Sequence, residues 1–583
     1  MNRTFKTLWN DVRRSFVAVN ETQNSHGKPS KTVVALTAAA VILGATAASA
    51  AYVEQGRLGS TSSWESAEYG SDGYISQKKN QHGLVHVNAS TAYAEGYTGK
   101  GVLIGVVDSG ALLSHSELSG GRIFGVTASG EYSHTGTRYP FYDLKQGGPK
   151  LPDGTMAKGD YTKGEAFNVN GDWILGVNDA HGTHVTSVVA GSRDGQNSHG
   201  VAFDADIAVG NTGGSDNMNY GPYQDYGYFY AVWDAVGATG AKVINNSWGT
   251  NIRINDSTSE HYDVGKHFGS DDGSQEPTLG NRIRPEGSEK EYLLFMKDAE
   301  ANGGKNFMDA AYEVAAKYGL VQIFTNGNRQ FQNPYYRAAY AYYNPEAEKY
   351  WIAAGGVDVD EQGNEQVMGW GKTWTGTGAV SEAEGKTNAY NRSGIAKWWG
   401  IASATNVLGA NVNSTTGEAS NRQAGGTSNA APHIAGAMAV LLQRFGTYMD
   451  VTQVRDVMFT TARQHQLNDP TKLLPGISQE EAGAPEDDYG WGIVDLGKAI
   501  YGPGQFFGTF DVTMNGIADQ WDNDITDQAI QLRGKEDALE KAELETRIAQ
   551  LKAPTKQTDE VRWELGYKQK RLAAIAERER QGY

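Results

Sequence analysis

Short apolar strand candidates alternate with helical stretches along this chain. That alternation predicts an α/β fold with a mainly parallel central sheet flanked by helices, long loop insertions and a C-terminal helical extension. Residues 102–107, Val-Leu-Ile-Gly-Val-Val, are apolar throughout, as in a strand buried on both faces. Residues 243–244, 321–325 and 351–354 are three further short candidates. Helical stretches at 184–190, 228–237, 309–318 and 431–445 lie between and beyond them.

Residues 120–175 and 251–300 are rich in Gly, Asp, Ser, Asn and Tyr and show little periodicity, so both read as surface insertions. Gly213-Gly214 and residues 376–378 read as turns, and Phe506, Phe507, Phe510 and Trp521 as a cap on the body. From Thr526 the composition turns to Ala, Glu, Lys, Leu, Gln and Arg. Leu544, Ile548 and Leu551 then form a helical stripe, which Ala553-Pro554 interrupts and residues 561–580 resume. This is a helical hairpin or linker, or alternatively a dedicated binding helix. Its stripe is narrow, so the expectation is that 526–583 adds nothing to the core.

The chain has 583 residues, 73 of them Gly and none Cys. The missing Cys excludes a disulfide framework, a thiol nucleophile and thiolate metal sites. Residues 51–529 hold 33 Lys/Arg against 56 Asp/Glu, an acidic body that argues against nucleic acid as a partner. At the amino end, Lys28 and Lys31 precede an apolar run at 33–47 and then Ala48-Ser49-Ala50. Basic region, apolar run and small-residue site in that order predict a secretory signal cut after Ala50, the run being short for a membrane anchor.

Three motifs carry chemistry. Asp108-Ser109-Gly110 ends the first strand, where a carboxylate is held at the mouth of a sheet, although the same tripeptide also makes ordinary turns. Asp179-Ala180-His181-Gly182-Thr183-His184 opens a helix; its two histidines could ligate a metal, form a structural pair or supply a base. In Gly425-Gly426-Thr427-Ser428, running on to Pro432-His433, a serine enters an apolar helix where backbone N–H groups favour negative charge. Pro432 is expected in that helix's first turn.

Together these motifs resemble the subtilisin-like serine proteases, in that family's order of Asp, His and Ser and at spacings of 73 and 247 residues. The resemblance implies a triad of Asp108, His181 and Ser428, with His184 structural. Thr325-Asn326-Gly327-Asn328 looks like the family's oxyanion segment and implies Asn328 as the donor. Asn246-Ser247-Trp248-Gly249 looks like the edge that pairs with substrate backbone, implying Ser247, Trp248 and Gly249 as substrate-binding. The walls of the specificity pocket are then expected around 247–249 and 324–328, beside aromatic-rich loops the sequence does not place. Asn429 stands where the family usually has Met, and Asn326 where small apolar residues are common.

The leader adds a second resemblance. Met1-Asn2-Arg3, Phe5-Lys6, Trp9-Asn10 and Arg13-Arg14-Ser15 resemble the extended signal peptide of large Gram-negative autotransporters. This implies export to the cell surface or medium, with the outer-membrane translocation machinery as a partner. No barrel-like alternating strands follow residue 526, so a passenger fragment, a truncated product or a divergent arrangement is expected. The expected organisation is a leader at 1–50, a short segment at 51–95, too short for the usual inhibitory propeptide, a protease domain at 96–504, and a capping segment with helical extension at 505–583. The function implied is serine endopeptidase on protein or peptide substrates, with a non-catalytic surface binding protein as the alternative. No cofactor is required; calcium could sit in the Asp/Asn-rich loops, but no ligand spacing singles out a site.

Overall fold

The computed structural model describes residues 5–10, 15–20, 60–70, 83–137, 159–213, 225–249, 286–300, 303–328, 333–359, 365–366, 372–374, 380–382, 390–405, 407–463, 485–502, 510–514, 517–521 and 526–581. Its centre is a seven-stranded parallel sheet. The strands are β1 (Leu103–Asp108), β2 (Ile123–Gly125), β3 (Asp206–Asn211), β4 (Val243–Asn246), β5 (Val321–Thr325), β6 (Trp351–Val359) and β7 (Gly400–Ala404). Their spatial order is 2-3-1-4-5-6-7, and Glu365–Gln366 adds a short antiparallel strand to the end of β6. β1, β4, β5 and β7 are buried almost along their whole length, as parallel strands covered on both faces must be.

The helices are α1 (His181–Ala190), α2 (Tyr226–Ala238), α3 (Glu286–Glu300), α4 (Phe307–Tyr318), α5 (Tyr336–Tyr343), α6 (Thr427–Phe445), α7 (Val451–Thr460), α8 (Thr526–Lys552) and α9 (Asp559–Gln581). α2 and α4 pack on each other and against β1, β3 and β5. α6 lies across β4–β7 with α1 and α7 against it. Capping fixes the helix starts. Asn306 and Asp309 form a reciprocal capping box on α4, and Asp450 with Gln453 does the same on α7. Among the described residues no helix is long and apolar enough to cross a membrane.

All four strand candidates and all four helical stretches of the sequence are present: 321–325 has the expected bounds, 102–107 shifts by one residue, and the rest are longer than expected. Three strands of the sheet were not anticipated from the sequence: β2, β3 and β7. β2 falls inside the presumed insertion at 120–175, which also supplies an antiparallel pair, Thr127–Glu131 with Ala166–Asn170. α3 falls in the second presumed insertion, whose residues 251–285 lie outside the described residues. So do Gly214, residues 376–378, Phe506, Phe507 and the leader's apolar run; Gly213 does turn, with φ 76°.

Both ends of the body differ from expectation. Residues 83–94, assigned by sequence to a separate segment, carry Leu84, Val87, Ala92 and Tyr93 fully into the main core. Their approach is close enough that a Cβ on Gly83 would fall 1.8 Å from His433 Nε2.

The helical extension, expected to add nothing to the core, docks on the body through charge as well as apolar surface. Tyr567 of α9 is 1% exposed against Tyr292 and Tyr343. Arg533 of α8 makes two 2.7 Å hydrogen bonds to Glu348. Burial pushes the Glu348 carboxyl up, but the Arg533 guanidinium overrides this and holds it down to about 2. Lys397 pairs with Glu536, and Tyr342 donates to Glu540 at 2.9 Å while Arg571 pairs with that same carboxylate. A narrow stripe underestimates such a helix, because long charged side chains bury their stems and pair their heads.

Tyr567→Ala is therefore expected to destabilise the fold by about 3–5 kcal/mol, the range for losing a buried aromatic side chain. A chain ending at Trp521 is expected to melt well below the full chain. An unchanged Tm for either variant would show that the helices do not dock.

Candidate active site

In an open parallel sheet, ligands bind beyond the carboxyl ends of the strands, where the strand order reverses. Here β1 is flanked by β3 on one side and β4 on the other. Asp108 ends β1, Ser247–Gly249 follow β4 and Asn326–Asn328 follow β5, on three adjacent strands.

Asp108 is completely buried, so its charge needs donors. Its Oδ1 accepts from His181 Nδ1 at 2.9 Å and from the Ser109 N–H at 2.7 Å. His181 is the first residue of α1, whose N-cap, Ala180, has no side chain to cap with. Two neighbours do that work. Asp179 Oδ1 accepts the His181 N–H at 2.8 Å, and Ser109 Oγ accepts the Gly182 N–H at 2.8 Å while donating to Asp179 Oδ1 at 2.7 Å. A Cβ at position 182 would stand 2.2 Å from the Gly110 carbonyl oxygen, so only glycine lets α1 approach the β1 loop this closely.

Ser428 is the second residue of α6. The hairpin of β8 (Val407–Val412) and β9 (Ala419–Ala424) delivers the chain to Gly425, and Gly426 makes the turn at φ 91°. The Ser428 hydroxyl donates to the Ser247 carbonyl at 2.6 Å. Asn328 is tied to the same helix start, its Oδ1 accepting from the Thr427 N–H at 2.9 Å and the Thr427 hydroxyl at 3.0 Å. Asn326 is instead fully buried, with its N–H on the Ala354 carbonyl and its own carbonyl held by Tyr335 N–H and Asn391 Nδ2.

One expectation changes here, and two side chains find their places. Pro432 is the sixth residue of α6, not in its first turn; lacking an N–H, it leaves the Ser428 carbonyl without the usual helical donor four residues on. Asn429 folds back to donate to the Gly425 carbonyl at 2.7 Å, bracing the turn before the serine. The Trp248 side chain does not face a substrate. It is buried against Phe229 and Trp233 under the Arg337 guanidinium, with its indole N–H on the Val107 carbonyl at 2.8 Å. Only the backbone of Trp248 is left to pair with a substrate.

Residues 99–492 match the Subtilase family, Peptidase S8. This chain is a subtilase. Residues 1–50 match the Extended Signal Peptide of Type V secretion system. The subtilase is 29% identical over 498 residues to the extracellular serine protease of Serratia marcescens, covering 79% of this chain and 37% of that one. It is 26% identical over 456 residues to the Neisserial autotransporter lipoprotein NalP of Neisseria meningitidis, covering 76% and 37%. The chain thus spans little more than a third of the length of these relatives. Fervidolysin of Fervidobacterium pennivorans superimposes with a TM-score of 0.41 at 19% identity, over 75% of this chain and 49% of that one. With its leader, this subtilase is exported to the cell surface or extracellular space of a Gram-negative bacterium.

Electrostatics separate the two histidines of the subtilase motif. Burial alone would lower His181, but the Asp108 charge and hydrogen bond, with a contribution from Asp179, hold it above its ordinary value. His184 is pressed down to about 3 by burial, then by Arg422 and His181; it stays neutral, with Nδ1 facing the Ala410 carbonyl at 3.2 Å. Among the described residues no three His, Asp or Glu side chains converge as a metal site. Burial and the nearby Asp108 push Asp179 up to about 6, with His181 pulling the other way. Sequence reasoning gave neither Asp179 nor Ser109 a role. The available signal was an acidic residue two places before the first residue of a helix with no polar N-cap.

Asp179→Asn keeps an oxygen for both hydrogen bonds and removes one charge that favours the imidazolium. His181 is therefore expected to titrate at lower pH in this variant, measured by NMR of the ring. An unmoved titration would mean that Asp179 acts only as a cap.

Proposed function

We propose that this chain is an exported serine endopeptidase that hydrolyses protein or peptide substrates through an acyl-enzyme. The observation that carries this is the buried Asp108–His181 hydrogen bond of 2.9 Å in a subtilase whose Ser428 opens α6 beside Asn328. A serine hydroxyl is a poor nucleophile until a base takes its proton. On substrate binding, Ser428 Oγ leaves the Ser247 carbonyl and attacks the scissile carbonyl carbon, its proton passing to His181 Nε2. Asp108 fixes the tautomer with the proton on Nδ1 and stabilises the imidazolium that forms.

As the tetrahedral intermediate develops, its oxygen gains charge at the amino end of α6. The Ser428 N–H and Asn328 Nδ2 are the donors proposed for it, and the helix dipole adds to their field. Thr427 engages Asn328 through Oδ1, so the proposed donor role falls to the amide NH2. Collapse breaks the C–N bond, and His181 gives its proton to the departing amine. Water activated by His181 then hydrolyses the ester. The backbone of Ser247, Trp248 and Gly249 would pair with the substrate, and the type V secretion machinery would be the export partner. Every step uses this chain's own groups.

A fluorophosphonate probe is expected to label the wild type at Ser428 and leave Ser428→Ala unlabelled; no labelling would favour the surface binding protein. Ser428→Ala and His181→Ala are each expected to abolish turnover, since the triad acts as a unit. Residual activity above roughly a thousandth would sink the assignment. Asn328→Ala is expected to lower kcat about 10²–10³-fold with KM little changed. Asn326→Ala should act on stability instead, and the opposite pattern would transfer the oxyanion role to Asn326.

A further inference from the structure

The side chain that precedes the scissile bond must go where the two segments flanking Ser428 leave room. One segment is Ser247–Gly249, whose Ser247 carbonyl receives the Ser428 hydroxyl. The other is Asn326–Asn328, tied through Asn328 to Thr427. The subtilase resemblance implies these two segments as the walls of the slot for that side chain, and both contact the α6 start that carries Ser428. Each wall carries a glycine, Gly249 and Gly327.

The ring of Tyr335 already stands in that slot. A Cβ built on Gly327 would fall 2.4 Å from Tyr335 Cε2, and one built on Gly249 would fall 3.3 Å from Cδ2 of the same ring. Tyr335 is 2% exposed, so its ring is packed in place. Its backbone is equally fixed, the N–H donating to the Asn326 carbonyl at 3.0 Å inside the second wall. The next residue opens α5, with the Tyr336 N–H on Glu291 Oε2 at 2.8 Å. α5 is held in turn from outside through Tyr342 and Glu540. The Tyr335 backbone is thus carried at the start of a helix that is itself anchored.

We propose that Tyr335 is a specificity-determining residue that restricts the position before the scissile bond to small side chains: glycine, alanine or serine. The inference rests on the serine endopeptidase reading above. A large side chain entering from the Ser428 side would overlap the ring, whereas a methyl or hydroxymethyl group stops short of it. Overpacking of this kind is strongly disfavoured in a close-packed site.

The test compares peptide substrates differing only at that position, cleaved by the full exported protein. Wild type is expected to favour Ala over Phe and Leu by about tenfold or more in kcat/KM, the scale on which a pocket rejects excess volume. Tyr335→Ala is expected to raise kcat/KM for Phe and Leu by about tenfold or more while changing the Ala substrate only a few-fold. A wild type preferring Phe or Leu would overturn the proposal, even if Tyr335→Ala fails to fold. So would a folded Tyr335→Ala that keeps the wild-type profile. Fluorophosphonate labelling of the wild type is run alongside. A labelled enzyme with the wrong profile defeats the assignment of Tyr335 alone, and an unlabelled one defeats the endopeptidase reading beneath it.

Discussion

A carboxylate with no exposure to water sits at the end of the central strand β1, and Asp108 is only tolerable there if donors reach it. The donors are the His181 ring and the Ser109 amide. Bringing His181 to that point requires α1 to begin against the β1 loop, and this close approach demands Gly182. It also requires partners for the first amides of α1, which Asp179 and Ser109 supply. One buried charge therefore dictates the residue types at 109, 179, 181 and 182.

The second half of the site follows the same logic with opposite polarity. The α6 amino terminus carries the positive end of a helix dipole, and the Gly425-Gly426 turn leads the chain into it just before Ser428. Thr427 binds Asn328 to this terminus, tying the loop after β5 to the start of α6. The same loop is held from behind by Tyr335 and Asn391 on the Asn326 carbonyl. Beyond Tyr335 lies α5, and on α5 the C-terminal hairpin docks through Tyr342, Tyr343 and Tyr567. A continuous series of packed groups thus runs from the last helix of the chain to the proposed oxyanion donor.

Long, strongly patterned elements were legible in the sequence. β1 is an almost continuous apolar run, β5 is rich in β-branched and aromatic residues, and α4 and α6 carry clear helical periodicity. Two of the three missed strands give no β signal in their composition, and the third, β3, offers only a short Ile-Ala-Val run. β2 has three residues and an exposed Phe124; β7 is Gly-Ile-Ala-Ser-Ala, a strand only because it pairs with β6. The docking of α8 and α9 was illegible for a related reason: its binding groups are Arg533, Glu536, Glu540 and Arg571, which in sequence look like any solvated helix face.

The sequence by itself determined the family and the leader, and it singled out Asp108, His181, Ser428 and Asn328 as the proposed catalytic groups, because each lies in a short local motif whose chemistry calls for those residue types. Tertiary structure alone decided what surrounds them. Asp179 and Ser109 become partners only when α1 meets the β1 loop. Trp248 turns into the core only because Phe229, Trp233 and Arg337 converge beneath it. Tyr335 reaches Gly249, 86 positions earlier, through the juxtaposition of β4 and β5. Such contacts depend on long-range packing, which no local pattern encodes, so the proposed catalytic groups could be read from the chain while the surroundings that shape the site could not.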